Sequence, residues 1–506
     1  MVESLGLAVY GPVADDAQLA AATVGSNAGD GAARGAGVVI DTREVRPGDL
    51  YVALQGTRSH GIEHAAEAFA RGASAVLAGT DLELDEERWD QLLGAAAEHG
   101  PVLVATDCDG VTALGRVARA WRRRARWRVV GITGSSGKTS TKDLLAALLR
   151  RSGMHVVASH ANWNNEIGVP LTLLAAGDDV DVVICEMGMR GLGQIAWLCD
   201  LADPDIGIVT TAGTAHLELL GTPENIVRAK AELLAGTWKG GVGIFPALQP
   251  QLVEAADDVP DRLLPFGVGP DEADAAVLVT ELERVDDGIA GTIDLMGREL
   301  AFRLPLHGLH QARNLAAAAA ALVTLRGSAE LLAEDALQLV GDAGAGEDAG
   351  GVITAGRGDR HRLADGGVVI DDAYNANPES MRAALDELAA TRGERRVAVL
   401  GRMAELGLMA PLLHTQVGEH AASHAEVAEL VVVGADEDAD ALAEGWQQVR
   451  GVAPRRYVDV DVALAALGEW RRAGDAVLVK ASNSSGLGRL AAGVVERTGV
   501  KAGEAT

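Results

Sequence analysis

Short apolar runs alternate with amphipathic stretches along most of the chain, and this alternation divides it into three segments. In the first, VVIDTREVRPGDLYVALQG (Val38 to Gly56) places two β-rich runs around a turn at Pro47-Gly48-Asp49, where Pro and Gly set the backbone angles. The helix-like HAAEAFARGA and the strand-like SAVLAG follow, which predicts a small α/β unit. The second segment opens with RVVGITGSSGKTSTKDLLAALLRR (Arg128 to Arg151). An apolar strand enters a Gly/Ser loop, and the helix after it carries Leu144, Leu145, Leu148 and Leu149. The runs VDVVICEMG and DIGIVTTAG read as further strands, and HQARNLAAAAAALVTL as a late helix. Strands alternating with helices predict a parallel sheet covered on both faces. GDAGAGEDAG (Gly341 to Gly350) reads as a linker. Beyond it GVVIDDAY, ESMRAALDELAA, RRVAVLG, AELVVVG and DAVLVK alternate again, as a second doubly wound unit. The fold class expected is therefore α/β in three domains, at 1–126, 127–347 and 348–506.

The length of 506 residues agrees with about three domains. The formal net charge of -28 changes the functional picture, because so acidic a surface repels phosphate backbones and anionic lipid. Nucleic acid is excluded as a partner. The basic run Arg122, Arg123, Arg124, Arg126 and Arg128 reads as a solvated helix end or linker. Cys108, Cys185 and Cys199 have no CxxC spacing, so neither a zinc site nor a disulfide framework is expected. No signal peptide is visible, and no apolar run reaches the ~18 residues that a membrane span needs. A cytoplasmic, monomeric protein without a membrane span is expected.

The chemistry begins at Thr133-Gly134-Ser135-Ser136-Gly137-Lys138-Thr139-Ser140, between strand and helix. Glycines let backbone N–H groups turn inward around phosphate oxygens, and the helix N-terminus adds partial positive charge. Lys138 would reach the β- and γ-phosphates of ATP, and the Thr139 hydroxyl would ligate Mg²⁺. The usual phosphate-loop pattern has a glycine where Ile132 stands, so the loop is compressed. Glu186 ends the apolar strand VDVVIC, a placement suited to holding Mg²⁺ beside such a loop.

The compressed loop TGSSGKTS resembles that of the Mur ligase family and its folylpolyglutamate synthetase relatives. DTREVRPGDLYVALQG, NWNNEIGVPLTLL (Asn162 to Leu174) and DDAYNANPESM (Asp371 to Met381) are similar to the branch that adds D-alanyl-D-alanine to UDP-N-acetylmuramoyl-tripeptide in peptidoglycan synthesis. The resemblance covers nearly the whole chain. It implies an N-terminal domain for the UDP-sugar-peptide, a central P-loop ATPase domain and a C-terminal Rossmann-like domain for the amine. It also implies ligation through an acyl phosphate, with ATP and Mg²⁺.

Carried over residue by residue, the resemblance makes Lys138, Glu186, His216 and Lys230 catalytic. Thr139, Glu186, His216 and a carbamylated Lys230 would hold metal. Gly134, Ser135, Ser136, Gly137, Lys138, Thr139, Ser140, Asn314, Arg357 and Asp372 would bind the nucleotide. Thr42, Arg43, Asn164, Asn165, Tyr374, Asn375, Lys480 and Ser482 would bind the other substrates. The residues themselves leave other readings open: Asn164 and Asn165 could cap a helix, and Arg43 could form a structural ion pair. Four positions depart from the family pattern, namely Ile62, Thr211, Arg402 and Asn483. Asn483 cannot supply the bidentate charge that an Arg would. The last two departures leave open a paralogue that joins a different amine or carboxylate by the same mechanism.

Overall fold

The computed structural model describes residues 7–10, 37–57, 59–81, 86–99, 102–105, 107–160, 163–214, 217–339, 354 and 356–500. Within them the strands form sheets of five, nine and six, one for each expected segment. The linker expected at Gly341 to Gly350 lies outside the described residues.

In the first sheet, Val38–Val39, Leu50–Val52, Ala75–Ala78 and Val102–Ala105 are parallel, and Leu7–Tyr10 adds an antiparallel edge. The turn at Pro47-Gly48-Asp49 does not join a hairpin. The strands on either side run parallel, which a tight turn alone cannot connect, and the 3-10 turn Thr42–Glu44 forms part of the crossover.

The central sheet runs Val156–Ala158, Val182–Glu186, Arg128–Thr133, Ile206–Val209, Val242–Pro246, Arg262–Val268 and Val277–Val285 in parallel, then turns antiparallel through Gly288–Leu295 and Arg298–Leu304. One face packs on helices Lys138–Arg151 and His310–Arg326. The other packs on Gln194–Ala202 and Pro223–Ala235. Leu144, Leu145, Leu148 and Leu149 are fully buried, as their spacing predicts. Thr141, Lys142 and Asp143 are buried as well: Thr141 meets Asn314 on helix His310–Arg326, Lys142 Nζ donates to Ser159 O (2.7 Å), and Asp143 Oδ2 accepts from Thr354 N (2.8 Å). Truncating Leu144 or Leu148 to Ala would cost about 2–5 kcal/mol.

The basic run is not wholly solvated. Arg122 closes the helix Gly110–Arg122 onto the central domain. Its guanidinium donates to the carbonyl oxygens of Ala202 (2.9 Å) and Asp203 (3.0 Å) and to Asp205 Oδ2 (3.1 Å), and stacks on Trp127. Arg123, Arg124 and Arg126 are exposed.

The third sheet has Val368–Asp371, Ala476–Lys480, Arg396–Leu400, Val427–Val433 and Arg455–Tyr457 in parallel, with Asp359–Arg362 antiparallel at the edge. No described helix is long and apolar enough to cross a membrane.

Candidate active site

Strand Arg128–Thr133 lies between Val182–Glu186 and Ile206–Val209, so the strand order reverses around it and a crevice opens at the carboxyl ends. The Gly/Ser loop fills that position. Gly134 has φ 154° and Gly137 φ 79°; a Cβ on Gly134 would lie 1.9 Å from Thr210 Oγ1, and one on Gly137 2.4 Å from Asn314 Oδ1. Only glycine fits either place. The loop is braced from behind, since Thr210 Oγ1 donates to Ser136 O (2.6 Å) and Gly213 N to Ser135 Oγ (2.9 Å).

Helix Lys138–Arg151 starts at the loop, which aims its N-terminus into the crevice. Lys138 Nζ folds back to Gly134 O at 2.6 Å, and burial lowers its pKa, partly countered by Glu186. Thr139 Oγ1 donates to Glu186 Oε2 at 2.6 Å, and Asn164 Nδ2 donates to Glu186 Oε1 at 3.0 Å. Hard oxygen donors, one hydroxyl and one carboxylate, thus meet beside a phosphate cradle, and this donor set fits Mg²⁺.

Lys230 sits on helix Pro223–Ala235, started by Thr222 Oγ1 accepting from Asn225 N and by Pro223 in the first turn. Its side chain is fully buried, and Nζ finds no hydrogen-bond partner among the described residues. Burial, then the nearby Lys138 charge, push its pKa well below the usual lysine range. His216 lies outside the described residues.

The C-terminal unit supplies the facing wall. The cleft between them encloses about 910 Å³ and is lined by Ser135 to Ser140, Asn164, Asn165, Glu186, Asn314, Arg357, Asp372, Tyr374, Asn375 and Lys480 among others. Lys480, at the end of strand Ala476–Lys480, is buried and pairs with Asp372 Oδ2 at 2.7 Å. Arg357 lies over the Tyr374 ring, 4.2 Å from its centroid. Asn314, buried on helix His310–Arg326, donates from Nδ2 to Gln311 Oε1 (2.8 Å). Asn165 lines the cleft just ahead of helix Gly168–Leu174, its Oδ1 accepting from Ile167 N (3.2 Å) and Gly168 N (2.9 Å).

Three expected substrate residues stand apart from this cleft. Thr42 and Arg43 lie in the 3-10 turn Thr42–Glu44 of the N-terminal unit, and Arg43 is exposed with its guanidinium on Asp41 at 2.5 Å. Ser482 is buried, and its Oγ accepts from Ala404 N (2.8 Å), which is a structural bond rather than a place on the cleft wall. The departures Arg402 and Asn483 also lie off the cleft wall. Arg402 faces Asp438 at 3.5 Å, and Asn483 opens an exposed turn. Thr211 lines the cleft, and Ile62 is buried in the N-terminal core.

Asn377 and Glu379 are among the cleft residues that sequence reasoning did not single out. Asn377 caps helix Pro378–Ala390 in a capping box with Ser380, and its free Nδ2 donates across the cleft to Ser135 O at 3.2 Å. Glu379 Oε1 accepts from both the backbone N and the hydroxyl of Thr214 at 3.0 Å. The N-P-E-S order of a capped helix start was visible in the sequence. The reach of its side chains to another domain was not.

Comparison with known proteins agrees with this architecture. Residues 36–108 match the Mur ligase family catalytic domain, 132–322 the Mur ligase middle domain, and 356–483 the Mur ligase glutamate ligase domain. The chain is 36% identical to the UDP-N-acetylmuramoyl-tripeptide–D-alanyl-D-alanine ligase of Synechocystis over 457 residues, covering 90% of each. It is also 36% identical to the Mycobacterium leprae protein of that name, covering 90% of this chain and 92% of the other. Its fold is similar to a crystal structure of MurF from Acinetobacter baumannii, with TM-score 0.76 and 26% identity, covering 97% of this chain and all of the other.

Proposed function

The chain belongs to the Mur ligase family, and from that premise we propose that it adds D-alanyl-D-alanine to UDP-N-acetylmuramoyl-tripeptide, using ATP and an acyl-phosphate intermediate. The observation that carries this reading is the cleft itself. A phosphate loop with Lys138, Thr139 and Glu186 faces the Lys480–Asp372 wall of the C-terminal unit, and Asn377 and Glu379 join the two walls. The relatives named above carry that activity in their names, and Arg402 and Asn483 stand outside the cleft. Both facts favour the cell-wall reaction over a paralogue with another amine.

In this mechanism the loop N–H groups of Gly134 to Ser140 hold the phosphates of ATP. Lys138 leaves Gly134 O and donates to the γ-phosphoryl group as charge develops there. Thr139 and Glu186 would hold Mg²⁺, which neutralises phosphate charge when bound. The tripeptide carboxylate attacks the γ-phosphorus and ADP leaves. The dipeptide amine then attacks the acyl phosphate, losing a proton, and phosphate leaves. Lys230, whose burial disfavours the charged ammonium, would take up CO₂ as a carbamate with loss of a proton, and with His216 would supply acidic and imidazole ligands to a second Mg²⁺.

Asn314, Arg357 and Asp372 would contact the nucleotide. Asn164, Asn165, Tyr374 and Asn375 would line the path of the acceptor and amine, with Lys480 holding their wall in place. Thr42 and Arg43 would receive the uridine diphosphate on the N-terminal domain. Closed walls exclude water from the acyl phosphate. The three units at 1–126, 127–347 and 348–506 would act as uridine-nucleotide, ATPase and amine domains of a cytoplasmic monomer.

The acyl phosphate is tested with tripeptide labelled with ¹⁸O in its terminal carboxylate. The mechanism transfers one ¹⁸O into the phosphate released. Unlabelled phosphate beside a ligated product would overturn it.

A further inference from the structure

Away from the cleft, the C-terminal unit gathers Asp386, His420 and His424 at one place, with ligand atoms within 4.8 Å of one another. His420 lies in the last turn of helix Ala410–Ser423, and His424 follows as its C-cap. Spaced by four residues, both rings leave the same face of the helix. Asp386 comes from the neighbouring helix Pro378–Ala390. His420 Nε2 and His424 Nε2 lie 2.7 and 2.8 Å from the same oxygen, Asp386 Oδ1, and 3.3 Å from each other. The rings stand nearly perpendicular, at 86°.

Two imidazole nitrogens converging on a single carboxylate oxygen form three corners of a small coordination polyhedron. Two nitrogens each ~2.0–2.1 Å from a tetrahedral ion are separated by about 3.3–3.4 Å, which is the spacing found here. The carboxylate oxygen would draw back by about 0.6 Å to complete the same geometry. Asp386 is free to do so, because its side chain is 52% exposed. The helix C-terminus adds negative potential to the place. His420 and His424 are each about a quarter exposed, which leaves one side open for water as a fourth ligand.

We propose that Asp386, His420 and His424 form a binding site for a divalent transition-metal ion of Zn²⁺ type, separate from the Mg²⁺ chemistry of the cleft. Two imidazoles and one carboxylate favour Zn²⁺, Co²⁺ or Ni²⁺ over Mg²⁺ or Ca²⁺. The ion would fasten helix Pro378–Ala390 to helix Ala410–Ser423. The first of these also carries Glu379 and follows Asn377, the two residues that cross to the central domain.

The test titrates the full chain, free of any affinity tag and stripped of metal, with Zn²⁺ alone in a calorimeter, and with Co²⁺ by absorption spectroscopy. The site predicts one equivalent bound with micromolar or tighter affinity and the intense visible bands of four-coordinate Co²⁺. In the double variant His420→Ala/His424→Ala that affinity falls by about 100-fold or more, beyond the ~10–100-fold cost of disturbing an outer-shell partner. The metal-free double variant should keep its circular dichroism, which separates loss of ligands from loss of fold. Should the double variant fail to fold, Asp386→Asn gives the same comparison. Equal Zn²⁺ affinity in the wild type and the double variant, or a purely octahedral Co²⁺ spectrum, would overturn the assignment.

Discussion

Lys480 Nζ lies 2.7 Å from Asp372 Oδ2 and also donates to the carbonyl oxygens of Asn375 (2.9 Å) and Asp372 (3.3 Å). One buried ammonium thus fixes the loop that carries Asp372, Tyr374 and Asn375 to the cleft. Lys480→Ala leaves a carboxylate and two carbonyls without their cation. Breaking such a pair costs about 3–5 kcal/mol when fully buried. Asp372 retains some solvent, so about 3 kcal/mol is expected in urea unfolding, together with a raised KM for the amine.

Lys138 has its charge destabilised by burial, partly countered by Glu186, and its Nζ donates to Gly134 O. Lys138→Ala should lower kcat by about 100-fold or more, the scale of one lost transition-state donor, with little change in unfolding temperature. A loss below about tenfold would remove Lys138 from the phosphoryl-transfer step.

Lys230 gives a prediction about stability rather than rate. Its folded pKa is depressed by burial, so between that value and its ordinary 10.5 the unfolded chain binds the extra proton. The group therefore costs stability at neutral pH, and the cost fades as pH rises toward 10.5. In buffer free of CO₂, Lys230→Met should raise the unfolding temperature at pH 7 while abolishing ligation, and the gain should shrink at higher pH. Lower stability of the variant at pH 7 would contradict an unpartnered buried amine.

Glu379 links helix Pro378–Ala390 to Thr214 in the central domain. Glu379→Ala should leave each domain folded but loosen closure. Steady-state kinetics should show kcat falling and KM for ATP rising together, by about tenfold, the effect of a few lost charge-assisted bonds.

Asp359 is buried beside Asp371, and burial raises its pKa to about 7, opposed by the Gly356 N–H that binds Oδ2 at 2.5 Å. A carboxyl with a raised folded pKa stabilises fully below its ordinary 3.8, and that contribution is lost as pH climbs to about 7. Asp359→Asn should flatten the fall in stability between about pH 4 and pH 7, as followed by thermal unfolding across that range.

Much of the fold was legible because its signals are local. The strand, Gly/Ser loop and helix from Arg128 to Arg151 follow from apolar period and glycine placement, and the three-sheet division follows from alternation. The parallel pairing of Val38–Val39 with Leu50–Val52 was hidden, because a turn signal says nothing about what crosses over beside it. At the site, Lys138, Thr139, Glu186, Asn314 and Lys480 converge as expected. Arg122 was misjudged because a guanidinium looks the same in sequence whether it meets solvent or a buried carbonyl, and for the same reason the sequence did not show the Ser482 hydroxyl accepting from Ala404 N. The cross-domain reach of Asn377 and Glu379 depends on domain placement, which no local pattern encodes.

The most direct test of the ligase account is phosphate release from Mg-ATP with UDP-N-acetylmuramoyl-tripeptide, measured with and without D-alanyl-D-alanine and followed by product mass. The account predicts sustained release only when the dipeptide is present, one phosphate for each pentapeptide formed. Release that ignores the dipeptide, or a product in which another amine has been joined in preference to it, would contradict the account.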